Sequence, residues 1–130
     1  KLNSIIGYNG KYSLMNMIWN PEREFFGYTI GSILCIENLK TGKQKLLCSH
    51  NDDITVVCQR NDQNHMCSAS AYSLFNSTNS SIADSTKSIQ QESQQSQIII
   101  WNCENFDIVA NLVQKNASNI TCMKYSTDDR

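Results

Sequence analysis

Three stretches decide how this chain folds: Leu14–Arg23 (LMNMIWNPER), Ile54–Gln63 (ITVVCQRNDQ) and Ile120–Asp129 (ITCMKYSTDD). They align without gaps. Each opens on an apolar residue, carries another three positions later (Met17, Val57, Met123) and ends in a polar turn. Leu14 and Ile54 stand 40 residues apart, Ile54 and Ile120 66 apart. The longer interval contains SLFNSTNSSIADSTKSIQQESQQS, mostly Ser, Thr, Asn and Gln with isolated apolar residues. Such a stretch buries too little apolar area to offset the entropy of ordering, so 72–96 reads as a low-complexity surface insertion. Without it, the second interval also falls to about 40 residues.

Working outward, short runs rich in β-branched and aromatic residues alternate with clusters of Gly, Asn, Asp and Ser, and helical periodicity is absent. The pattern predicts strands over Leu14–Trp19, Glu24–Thr29, Ser32–Asn38 and Gln44–Cys48. A second set follows over Ile54–Gln59, Met66–Ala71, Gln97–Asn102 and Ile108–Val113, and a ninth over Ile120–Tyr125. Turn chemistry separates them: Thr41-Gly42 supplies a residue that tolerates positive φ, and Asn61-Asp62 and Asp128-Asp129 favour side-chain-capped turns. Inner strands repeat as well, Ile33–Glu37 (ILCIE) matching Ile98–Asn102 (IIIWN). A 40-residue period of four strands is the mark of a propeller blade. The fold class expected is therefore all-β, a β-propeller fragment of about two four-stranded blades plus the first strand of a third. The boundaries expected are 1–49 for blade one, 50–115 for blade two with its insertion, and 116–130 for the start of blade three.

Composition narrows the chemistry. The 130 residues carry 11 basic and 12 acidic side chains, a net charge of −1. A nucleic-acid or anionic membrane surface calls for a basic excess, so neither partner is expected. No apolar run exceeds four residues, far short of a span. Asn and Gln are abundant, which reads as codon bias before function, and the Asn-x-Ser/Thr matches at Asn76, Asn79, Asn116 and Asn119 follow from it. The six cysteines form no CxxC pair and sit mostly in apolar or alternating runs, where a reduced thiol behaves as a small hydrophobe. Cys58, His65 and Cys67 are too loosely spaced for a metal site and lack an evident fourth ligand. No metal or cofactor is expected.

Blade two carries a more specific pattern. His50 stands four residues before Ile54, preceded by Ser49; Asp62 lies in the turn after the first strand; Ser68 sits on the second; Trp101-Asn102 ends the third. On these residues the blade resembles the WD-repeat family, in which a Gly-His pair opens the blade and Trp-Asp closes its third strand. The resemblance implies a structural blade network drawn from His50, Asp62, Ser68 and Trp101, in which His, Ser/Thr, Trp and an acidic residue tie the strands by buried hydrogen bonds. Three of those positions are filled by His50, Ser68 and Trp101, while the fourth falls on Gln95. Blade one has Ile36-Glu37 in place of Trp-Asp, and blade three Asn116 in place of His.

The run from Ile5 to Ile54, with FFGYTIGSILCIENLKTGKQ at its centre, then CSASA, QIIIWN and KYSTDDR, is similar to large cytoskeletal WD-repeat proteins of the echinoderm-microtubule-associated-like group and their ciliary and centriolar relatives. That resemblance implies a non-enzymatic scaffold of cilium, axoneme, centriole or basal body within the cytoplasmic cytoskeleton. Its partners would be tubulin or neighbouring microtubule-associated scaffold proteins, together with the rest of the propeller in the same chain. The alternative is a soluble adaptor in signalling or ubiquitin-ligase substrate recognition. No nucleophile–base pair, phosphate loop or paired-carboxylate motif stands out, so an enzyme is not expected. The residues expected to face a partner are Arg23 in the first hairpin turn, Lys40, Lys43 and Lys45 around Thr41-Gly42, and Asp52 and Asp53 after His50.

Overall fold

A computed structural model describes residues 3–8, 10, 16–71, 95–115 and 119–128. Among them there is no helix. The chain builds two four-stranded antiparallel meanders. The first contains β1 (Met17–Asn20), β2 (Phe25–Ile30), β3 (Ile33–Asn38) and β4 (Gln44–Leu47), in that order across the sheet. The second contains β5 (Ile54–Gln59), β6 (His65–Ser70), β7 (Gln95–Asn102) and β8 (Ile108–Lys115). Two sheets of this design are those of consecutive propeller blades.

Asparagines close the turns. Asn20, at the end of β1, accepts from Arg23 N through its side chain at 3.0 Å. Asn38 accepts from Lys40 N and Thr41 N at 3.0 and 2.9 Å, and Asn102 accepts from Glu104 N at 2.7 Å. A short amide side chain that mimics the next backbone carbonyl is what a tight turn uses. Part of the asparagine content is thus structural, which compositional bias alone does not explain. Gly42 completes the β3–β4 turn at φ +65°, a conformation glycine adopts at no steric cost.

Register decides which side chains reach the core. Ile18, Gly27, Ile36 and Lys45 form one cross-strand row, so they share a face with Phe25, Leu34 and Leu47. That face packs on Ile54, Val57, Met66, Ile99, Trp101 and Cys103 of the second sheet, making one core. Gly27 keeps its row close-packed: a Cβ there would lie 3.3 Å from Ile36 Cδ1 and 3.4 Å from Ile18 Cβ, so the Ile36 side chain would have to shift to admit it. The opposite face of the first sheet carries Trp19, Phe26 and Tyr28, with successive ring centroids 6.3 and 5.5 Å apart.

Eight expected strands are present, with shifted ends. Of the first, residues 14 and 15 lie outside the described residues. β7 starts at Gln95, so the last two residues assigned to the 72–96 insertion belong to a strand. Gln95 and Ser96 pair with Lys115 and Gln114, and Ser96 is buried; backbone pairing recruits polar residues that composition assigns to a loop. Residues 72–94 lie outside the description.

The ninth strand is not a strand. Residues 119–125 run without regular secondary structure, because among the described residues no neighbouring strand offers them a ladder. Side chains hold the segment instead. β5 bulges between Ile54 and Val56, and the extra residue, Thr55, donates from Oγ1 to the Ile120 carbonyl at 2.6 Å. Asn61 Nδ2 donates to the carbonyls of Ser126 and Thr127 at 3.1 and 3.3 Å.

Candidate functional site

His50 follows β4 in the loop that leads into β5, and its ring is buried. Its Nε2 lies 2.6 Å from Ser68 Oγ on β6, and Trp101 Nε1 on β7 donates to the same oxygen at 2.9 Å. Ser68 Oγ accepts from the indole, and its contact with His50 Nε2 makes it donor or acceptor according to the imidazole tautomer. Burial pushes His50 down from 6.5 to about 4, with Gln97 beside it opposing the shift, so the ring is neutral at pH 7. A serine against a histidine suggests a nucleophile and its base. Here Ser68 is fully buried and its oxygen already accepts a bond from the indole, so the pair fastens the blade.

The other two residues bearing on this network fall elsewhere. Asp62 does not join it. It lies in the β5–β6 turn, where it accepts from Asn64 N at 2.9 Å and pairs with Arg60 Nε at 3.5 Å. The Asn64 N–H holds its carboxyl below the ordinary value. Gln95 is exposed in the ladder opposite Lys115, and Gln97 is the amide near His50. Replacing Ser68 by alanine is expected to cost about 2 kcal/mol, since it leaves two buried ring nitrogens unbonded. The shift in the urea midpoint of the intact protein measures it.

The expected partner-facing residues divide by position. Arg23, Lys43 and Lys45 line one cleft of about 600 Å³ between the two sheets, with Phe25 and Phe106 in its wall. Lys45 points inward because its register row does, and its Nζ donates to Asn105 O at 2.8 Å while lying 4.9 Å from the Phe106 ring centroid. It therefore bridges the sheets. Arg23 reaches Asn64 Oδ1 at 2.6 Å. Lys40 is exposed beside the cleft and pairs with Glu24 at 2.6 Å. Asp52 and Asp53 lie at the opposite end of the strands, where Asp53 O accepts from Ala71 N. Sequence reading missed Phe106, which meets Phe25 edge-on at 5.4 Å; an aromatic inside the polar turn Glu104–Asp107 was the available signal. Among the described residues no cluster of three metal-ligating side chains exists.

Two stacked antiparallel meanders, pinned by the His50–Ser68–Trp101 bonds, are those of a WD-repeat propeller segment. In sequence the chain is similar to WD repeat-containing protein 90. It is 30% identical to the Xenopus tropicalis protein over 129 residues, which is 99% of this chain and 6% of that protein. The Homo sapiens protein is 25% identical over 130 residues, the whole of this chain and 6% of the relative. The Mus musculus protein reaches 36% over 70 residues, 54% of this chain and 4% of its own length. The chain thus spans about 6% of the length of the relatives that match it throughout. No protein-family model matches it.

Proposed function

We propose that this segment is a docking module in a non-enzymatic scaffold of microtubule-based structures, the axoneme of a cilium or the centriole and basal body. The observation that carries the docking surface is the inter-sheet cleft, where Arg23, Lys43 and Lys45 meet an aromatic wall. Similarity to WD repeat-containing protein 90 supports a protein-interaction role. The cytoskeletal style of residues 5–54 supports the finer reading. With a net charge of −1 the segment has no long-range pull on an acidic lattice, so it docks by local contacts, to tubulin or to a neighbouring scaffold protein.

Lys43→Glu combined with Lys40→Glu tests the cleft and its rim, leaving the bridging Lys45 and Arg23 in place. In cells expressing the tagged full-length protein, the wild type is expected to stay on doublet or triplet microtubules through salt extraction, and the double variant to be released. A diffuse wild-type pool that co-purifies with ubiquitin-ligase or kinase subunits would replace the scaffold with a soluble adaptor. A double variant retained like the wild type would remove the cleft from the interface.

A further inference from the structure

The second sheet holds a pair of thiols that neither the blade network nor the cleft uses. Cys58 on β5 and Cys67 on β6 are direct cross-strand partners, with sulfurs 3.1 Å apart. Opposed residues in an antiparallel pair have Cα atoms about 4.5–5.5 Å apart, inside the roughly 4.4–6.8 Å that a disulfide spans. Their side chains share a face by register, and the contact shows that the sulfurs converge. Both are reduced thiols. Cys67 is buried, while Cys58 is half-buried and lines a groove of about 490 Å³ with Trp19, Gln59, Asn61 and Met123. The groove is wide enough to admit a small oxidant.

We propose that Cys58 and Cys67 are an oxidation site at which a peroxide closes a cross-strand disulfide within blade two. The hydrogen bond between the sulfurs holds the Cys67 thiol below its ordinary value and pushes Cys58 up, so Cys67 is the first to lose its proton as thiolate while Cys58 keeps its own. That thiolate attacks a peroxide oxygen; an S–O bond forms, the O–O bond breaks and the departing hydroxide takes up a proton. The second sulfur, as thiolate, then displaces hydroxide from the sulfenic acid, forming the S–S bond as the S–O bond breaks. Two thiols and one hydrogen peroxide become one disulfide and two waters.

The bond has a definite place in the fold. The Tyr125 hydroxyl is buried beside the two sulfurs and interacts with the Cys67 thiol. The disulfide therefore forms where segment 119–128 rests on the sheet, and it clips β5 to β6 beneath that segment.

The intact reduced protein, treated with hydrogen peroxide, alkylated under denaturing conditions and digested without reductant, provides the test. A linked peptide pair joining Cys58 to Cys67, short by two hydrogen atoms and with both labels lost together, is expected. In Cys58→Ser and in Cys67→Ser the remaining thiol should stop at sulfenic acid and be trapped by dimedone. Full alkylation of Cys58 and Cys67 after the exposed Cys48 and Cys122 have oxidised would overturn the proposal. So would a bond from either sulfur to a different cysteine. Should a serine variant fail to fold, the wild-type peptide map decides alone.

Discussion

Trp101→Ala is expected to cost about 3–5 kcal/mol of stability, the range for emptying an aromatic site in a packed core. Trp101 is 2% exposed and belongs to the core shared by both sheets. Its loss removes apolar burial, opens a cavity beside Met66 and leaves Ser68 without the indole donor. Trp101→Phe separates these effects. It keeps most of the ring volume and loses the N–H, so the hydrogen bond should account for about 1 kcal/mol of the total. Urea unfolding followed by circular dichroism measures both, since neither readout depends on Trp101 fluorescence. An unchanged midpoint in Trp101→Ala would place the side chain outside the core.

Acid should weaken the fold through His50. The imidazole is held at about 4 in the folded state against 6.5 when exposed. Above pH 6.5 it is neutral in both states and its contribution is complete. As pH falls from 6.5 towards 4, the unfolded chain binds a proton that the folded chain refuses, and stability drops. Below about pH 4 the loss is complete, and its limit is about 3 kcal/mol. In His50→Gln the amide can donate to or accept from Ser68 Oγ without titrating. The wild type minus His50→Gln difference in urea midpoint should therefore shrink across pH 6.5 to 4, while carboxylates titrating below that range contribute to both proteins alike. A pH-independent difference would mean that the ring is solvated.

The strands were legible because their information is local. Alternation within each run and turn residues between runs locate eight of them to within a few positions. The run at Ile120–Tyr125 has the same local pattern and yet forms no ladder among the described residues, since pairing depends on a neighbour that its own residues do not encode. The family resemblance pointed to His50, Ser68 and Trp101, whereas Asp62 fits the same family pattern but serves its own turn. Lys43 and Lys45 stood out as charges near Thr41-Gly42. Only register shows that Lys45 points to the second sheet while Lys40 remains outside with Glu24. The Cys58–Cys67 pair was within reach of the sequence, since a turn over Arg60–His65 sets the two opposite one another. Spacing rules for metal ligands do not look across a hairpin.

The bonds of Thr55 and Asn61 to segment 119–128 have a mechanical consequence. Each sheet is stitched by parallel rungs along whole strands, so a pull along the strands must shear many at once. The segment is fastened to β5 and the β5–β6 turn by single side chains donating to Ile120, Ser126 and Thr127, with Tyr125 set against Cys58 and Cys67 between them. A force drawing on it would break those fastenings in turn and peel it away while both meanders remain whole. The seam beyond the second sheet is where this segment yields first under tension.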